Sequence, residues 1–320
     1  MKLFIAGGTG VIGKRLVPRL VENGHQVGVL ARSEENIKII RQMGAIPKKG
    51  SLFDTESLNQ ATKDVDVVLH LATSIPRKNK TSPKDWEMNS RLRIEGAMKL
   101  MDAASKNEVA HYIQQSVTFA YGHRIEPIND TIQPELPVPT KVKLPRKWQE
   151  VIDNPVHMEN QIATKAEQVS LDYTILRFGW FYSHDSANIQ DIHAGNFAHI
   201  WGENPFWSMI HVDDAVAAIH ATIEKKDKTV NQAFNVVDNQ PVQSREFLEY
   251  TRQQFGKSPL KKVPGLLVRL LFGPYSLNFL TSSLQVSNRR FKQVMDWKPM
   301  FPTFKEGVEE AVDKFLKLNA

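Results

Sequence analysis

The sequence predicts an α/β protein: a doubly wound parallel sheet, Rossmann-like, with a smaller C-terminal substrate lobe. Three observations carry this expectation. Short apolar runs alternate with amphipathic segments through the first half of the chain. Glycines close the first helical patterns, at Gly24 and Gly44. A glycine-rich turn, Gly7 to Gly13, stands between the first apolar run and the first helical pattern.

Taken in order, residues 2–6, 26–30, 45–47, 65–71, 111–116 and 173–176 read as short buried strands, and Val236 closes a late one. Residues 11–23 and 33–43 read as helices that stop at the two glycines, and Asp54 opens a third as its cap. From Tyr121 to Pro155 the pattern breaks into a Pro-rich stretch, expected as a functional loop. A capping box at Thr303 and Glu306 opens a terminal helix. The expected division is a dinucleotide-binding domain over 1–176 and a substrate lobe over 177–320, with some later segments returning to the first domain. No internal repeat is visible.

Composition narrows the function classes. The 320 residues are 41% hydrophobic and 24% charged, ordinary for a globular protein. The chain has no cysteine, which excludes disulfide scaffolds, thiol nucleophiles and thiolate metal sites. The net charge is +6, and its positive runs (Lys48-Lys49, 77–80, 141–147, Lys261-Lys262) are short and separated, so nucleic acid is not expected. The start of the chain lacks a secretory apolar segment, and the apolar stretch 263–280 is interrupted by Pro264, Gly265, Arg269, Gly273 and Pro274. A lid or packing helix is expected there, with no membrane partner and a cytoplasmic location. His184, Asp185, Asp191, His193 and His199 match no compact ligand spacing, so no metal is expected.

The glycine turn implies a dinucleotide. Gly7 permits the tight turn, Gly10 lets a pyrophosphate approach the backbone, and Gly13 allows close helix–strand packing. The anion then lies on the helix N-terminus, with Thr9, Val11 and Ile12 completing the cradle. An acid at the end of the second strand would select NAD. Here Ala31-Arg32-Ser33 offers a guanidinium and a hydroxyl to a 2′-phosphate, which predicts NADP.

With these residues in view, the chain resembles an extended, atypical short-chain dehydrogenase/reductase of the NAD(P)-dependent epimerase/dehydratase family. Beyond the glycines, the resemblance rests on Gly50-Ser51-Leu52-Phe53-Asp54, His70-Leu71-Ala72, Tyr121-Gly122, Leu176-Arg177-Phe178-Gly179, Ile210-His211-Val212-Asp213-Asp214 and Trp297-Lys298-Pro299. It implies that Ser51 and Leu52 flank the adenine, that Leu71 and Ala72 run under the ribose and phosphates, and that Phe178 adjoins the cofactor. His211, Asp213 and Asp214 read as a capped helix start.

The family's Tyr, followed four residues later by Lys, is altered. The corresponding segment reads as Gln161 and Lys165, and no Tyr in the chain has Lys four positions on. The resemblance leaves Lys165 as an anchor for the nicotinamide ribose. A carboxamide at Gln161 can hydrogen-bond to a carbonyl but cannot exchange a proton near neutral pH. Counting back from Tyr121, Val117 stands where the assisting hydroxyl belongs, between Ser116 and Thr118, which share the opposite strand face. Gln161 with Ser116 or Thr118 is the expected contact for a substrate oxygen, and His157, Glu159, Tyr121, Tyr182 and His184 are the other proton donors considered.

Trp180, Phe181, Tyr182, Trp201, Phe206 and Trp207 suggest a substrate with an apolar or aromatic part. The leading expectation is an NADP(H)-binding oxidoreductase or epimerase/dehydratase-like protein acting on a small molecule, as a monomer or homodimer. The alternative is a noncatalytic NADP(H)-sensing or interaction protein, followed by an RNA-binding derivative of the fold.

Overall fold

The computed structural model describes residues 1–78, 80–129 and 131–319. The predicted strands become β1 (Lys2–Ala6), β2 (Gln26–Ala31), β3 (Ile46–Lys49), β4 (Val67–His70), β5 (His111–Val117) and β6 (Asp172–Phe178). With the strand Gln232–Val236 they form one seven-stranded parallel sheet. Its order from the edge is Gln232–Val236, β6, β5, β4, β1, β2, β3. The order reverses between β1 and β4, so the crevice at the strand carboxyl ends opens there.

Apolar residues from both sheet faces build two cores. Leu3, Ile5, Val27 and Val29 point to one, where Leu16, Val17 and Leu20 of α1 (Gly13–Glu22) cover them. Phe4, Val68 and Tyr112 point to the other, against α5 (Ala97–Lys106) and α6 (Arg146–Val169). The two remaining early helices are capped as their sequences specify. Ser33 accepts the amide of Asn36 at the start of α2 (Glu34–Gln42), and Asp54 accepts that of Glu56 at the start of α3 (Thr55–Ala61). The capping box also forms: Glu306 Oε2 accepts the Thr303 amide at 3.0 Å, ahead of the helix Phe304–Asn319.

One boundary departs from expectation. The Pro-rich loop ends at Pro145, and α6 runs through Pro155 to Val169. Proline inside a helix removes one hydrogen bond and bends the axis. Pro155 is buried, on the helix face that meets the cavity described below. Between β4 and α5 the chain forms α4 (Glu87–Arg91) and a π-helical turn, Leu92–Gly96.

The helix Gly265–Thr281 kinks at Gly273, whose φ of +88° no side-chain-bearing residue adopts easily. Its first half presents Leu266, Leu267, Leu270 and Leu271 to solvent, so the expected packing role holds only for the second half. There Phe279 stacks on Phe119 and meets Trp180 edge-on, while Tyr275 lies between Trp86 and Trp148. Among the described residues, no helix is long and apolar enough to cross a membrane.

Candidate functional site

At the carboxyl ends of β1, β2 and β4 a cleft of about 280 Å³ is lined by Gly7, Thr9, Gly10, Val11, Ile12, Gly13, Arg32, Ser51, Leu52, Leu71 and Ala72. Each glycine has its own constraint. Gly7 holds φ +94°, and a Cβ there would lie 2.5 Å from the Ala72 nitrogen. A Cβ on Gly13 would lie 2.4 Å from the backbone of Gly8, which leaves no room for any side chain where α1 begins. A Cβ on Gly10 would meet one atom, Gly7 O at 3.3 Å, and otherwise enters open space. That space is where a pyrophosphate would approach the backbone.

Sequence reasoning missed Leu30, Asn36, Phe53, Thr73, Ile75, Leu92 and Gln115, which also line this cleft, and placed Phe181 on the substrate side only. Asn36 was legible in principle, three residues beyond a capping serine on the first turn of α2. Two assignments shift to neighbours. Ser33 is occupied as the cap of α2 and is not part of the lining, so Asn36 stands beside Arg32 instead. Phe178 is fully buried in the core, and Phe181, with ring centroids 5.5 Å apart, reaches the cleft in its place.

The cleft opens into a second cavity of about 370 Å³, and Thr73, Ile75, Gln115 and Phe181 line both. The walls of the second are aromatic and aliphatic: Trp86, Phe119, Trp180 and Phe279, with Val117 from β5 and Val151, Ile152 and Pro155 from α6. Its polar groups are few, among them Gln115 at the junction and Arg93, Tyr275, Asn278 and Ser282 deeper in.

The expected catalytic group is not assembled there. Gln161 faces solvent on the outer side of α6. Lys165 is drawn to the Asp102 carboxylate on α5, Nζ to Oδ1 2.5 Å, and lines neither space. Residues of α6 that do face the cavity at a four-residue spacing are Val151 and Pro155, ten residues before the expected pair. The Pro-rich reading of 121–155 hid them, because it placed them in a loop.

Strand parity disposes of the hydroxyls as well. Val117 faces the cavity, whereas Ser116 is buried and donates to Glu159 Oε1 at 2.5 Å. Thr118 is buried outside the cavity lining, its hydroxyl without a partner among the described residues.

Glu159 belongs to a buried polar network. The Arg177 guanidinium donates to Glu159 Oε1 at 3.1 Å, to Glu159 Oε2 at 2.9 and 2.6 Å, and to Tyr121 Oη at 2.8 Å, while Tyr121 donates to Asn235 Oδ1 at 2.9 Å. The carboxylate beside Arg177 pushes the guanidinium pKa up against the cost of burial. These groups hold β5, β6, α6 and the edge strand together. His157, Tyr182 and His184 also lie outside the cavity lining. His211 accepts the Asp213 amide at the start of the helix Val212–Glu224, and Asp214 accepts the amides of Met300 and Phe301, which fits structural roles.

The five residues considered as metal ligands form no ligand group. Among the described residues one group has suitable atoms within 4.8 Å of one another, His25, His220 and Glu224, remote from the cleft lining.

Comparison with known proteins gives the architecture its family. A family model described as NAD(P)H-binding matches residues 7–199, more than half of the chain. The chain belongs to this NAD(P)H-binding family, within the extended short-chain dehydrogenase/reductases. It is 26% identical over 319 residues to a Streptomyces 3-diazoavenalumate denitrifying reductase, covering 96% of this chain and 99% of that one. It is 27% identical over 252 residues to a decarboxylating sterol-4-alpha-carboxylate 3-dehydrogenase of Dictyostelium discoideum, covering 77% of this chain and 74% of the relative. The fold matches a human epimerase family protein solved with NADPH (TM-score 0.76, 16% identity, 98% and 99% coverage). It also matches a Thermotoga maritima UDP-glucose 4-epimerase solved with UDP-glucose (TM-score 0.77, 21% identity, full coverage of both chains).

The cleft chemistry fits a dinucleotide: a backbone turn open to a phosphate, an apolar slot at Leu52 and Phe53 for a base, and a cation at Arg32.

Proposed function

We propose that the protein is an NADP(H)-dependent reductase of small, aryl-conjugated electrophiles, and that it delivers hydride without a proton from the Tyr–Lys pair of its family. The carrying observation is the aliphatic patch of Val117, Val151 and Pro155 on the wall of the cavity that adjoins the nucleotide cleft. Glycines 7, 10 and 13 position the dinucleotide, Arg32 with Asn36 takes the 2′-phosphate, and Gln115 offers a carboxamide where the two spaces meet. NADPH supplies hydride at its nicotinamide C4.

An acceptor suited to such a site needs no acid from the protein. An arenediazonium loses dinitrogen as hydride bonds to the ring carbon. An activated alkene takes hydride at carbon, and its stabilised carbanion is protonated by water. A relative named as a denitrifying reductase supports the first class. The aromatic walls supply stacking for a flat substrate, with ring pairs such as Phe119 and Phe279 already 4.5 Å apart.

The test is deuterium transfer from NADPH labelled at C4 to arenediazonium salts, aryl-conjugated nitroalkenes and simple ketones. Label is expected in products of the first two and absent from the third. A specific observation favours one other reading: the absence of the family pair from the cavity equally suits an NADP(H) sensor without turnover. NADPH binding with no label in any product would establish that reading in place of ours.

A further inference from the structure

Arginines in this protein are satisfied wherever they are enclosed. Arg177 is bound to both oxygens of Glu159, Arg15 reaches Asp185 and Asp213, and Arg124 is paired with Glu135. Arg93 is the contrast. It projects from the π-helical turn into the wall of the apolar cavity, half-buried, and makes no hydrogen bond or ion pair with any described residue. The acidic group whose field it feels is Glu159, already committed to Arg177 and Ser116. Burial lowers the guanidinium pKa, yet arginine stays cationic in proteins.

An unpaired charge facing an apolar space is costly and calls for an anionic partner. π-turns, which re-aim the side chains they carry, gather at functional sites.

Three features decide what that partner is. Arg93 is absent from the nucleotide cleft although the preceding residue, Leu92, lines it, so the dinucleotide phosphates are not what it meets. Tyr275 lines the same cavity and feels the field of Arg93. Burial nonetheless pushes its pKa up to about 12, which leaves the hydroxyl protonated and able to donate. Finally, the surroundings are aromatic: Trp86 and Trp148 flank the Tyr275 ring, each with centroids 4.9 Å from it.

We propose that Arg93, with the Tyr275 hydroxyl, receives the carboxylate of an aryl carboxylic acid whose other end lies toward Gln115 and the nucleotide cleft. The planar guanidinium offers a bidentate fork matched to a carboxylate, the aromatic walls cover the ring, and hydride is accepted at the junction of the two spaces. This deepens the proposed reductase function and rests on it only for the orientation of the substrate; the anion site stands on its own.

Binding to the NADPH complex tests it without turnover, by calorimetry. The probes are benzoate, cinnamate and biphenyl-4-carboxylate, each against its methyl ester. At least one acid should bind 10–100-fold more tightly than its ester, roughly the range of a charge-assisted hydrogen bond. Arg93→Met should abolish that preference while leaving ester binding, NADPH affinity and the unfolding temperature near their original values. Arg93→Lys should retain part of it.

The proposal is overturned if no acid binds, if acid and ester bind alike, if Arg93→Met weakens both alike, or if NADPH affinity falls with them. Deuterium transfer without an acid preference would sink the Arg93 assignment alone. An acid preference lost in Arg93→Met, with no label transferred to any acceptor, would uphold the anion site and sink the reductase reading.

Discussion

The nucleotide cleft and the apolar cavity beside it share four wall residues, yet they were built under different constraints. In the cleft, backbone geometry dictates residue type: a Cβ on Gly7 or Gly13 would collide with main-chain atoms at 2.4–2.8 Å. Such constraints write themselves into sequence as glycines at fixed offsets. In the cavity, side chains need only fill or line space, as Val117, Val151 and Pro155 do. The comparison teaches that the cleft is fixed by backbone sterics, whereas the cavity wall is constrained only by the space it lines.

The largest expected effect attacks the cleft. Gly10→Val places a branched side chain in the space open to the pyrophosphate, where its Cβ meets Gly7 O alone. NADPH affinity, read by nucleotide fluorescence, should fall by at least ~100-fold, about 3 kcal/mol or more, while circular dichroism shows a native fold. Retained affinity would remove the cradle from this loop.

Next comes the buried network behind the cavity. Glu159→Gln leaves Arg177 without its carboxylate in a site where both side chains are about 95% buried. Denaturant unfolding should report a loss of about 3–5 kcal/mol. NADPH affinity should stay unchanged, because neither residue lines the cleft. A loss of affinity with intact stability would make this network part of the site.

Acid stability reports on the sheet that carries both regions. His70, the last residue of β4, and His111, the first of β5, are each held at about 4 by burial, below the ordinary 6.5. Between those values the unfolded chain binds more protons than the folded one, so stability should be full above about 6.5 and fall as pH drops toward 4. Replacing His70 with Asn should flatten part of that slope in pH-dependent thermal unfolding.

Arg32→Ala should cost about 1–3 kcal/mol of NADPH binding and leave NADH binding unchanged, as calorimetry with both nucleotides would show. Equal losses would mean that Arg32 does not read the 2′-phosphate. The smallest effect belongs to Lys165→Ala, which removes a half-exposed ion pair with Asp102 worth about 0–1 kcal/mol and should leave nucleotide affinity untouched.

How much the sequence disclosed follows the same division. All six early strands were legible because the apolar runs are flanked by glycine and capping signals, and Gly7, Gly10, Gly13, Arg32, Ser51, Leu52, Leu71 and Ala72 all reach the cleft. Ser33 and Phe178 missed by a few residues, since a hydroxyl that caps a helix and one that meets a ligand look alike in sequence. Gln161 and Lys165 were misplaced for a different reason. Nothing in the sequence marks which turn of α6 meets the cavity, and Pro155 makes that turn read as loop. Arg93 carried no signal at all, because the π-helical turn that aims it has no sequence signature.

The central claim, hydride transfer without a proton from the protein, is tested most directly by the pH dependence of the transfer step. Deuteride transfer from C4-labelled NADPH would be timed in single turnovers from pH 6 to 9, with an acceptor that has no titrating group in that range. Tyr275, pushed up to about 12, and the permanently cationic Arg93 are the titratable groups facing the cavity from the π-turn and the kinked helix. The account predicts a rate constant flat across the range and retained in Tyr275→Phe. A rate constant that follows a protonation between pH 6 and 9, or that collapses in Tyr275→Phe with acceptor binding intact, would contradict it.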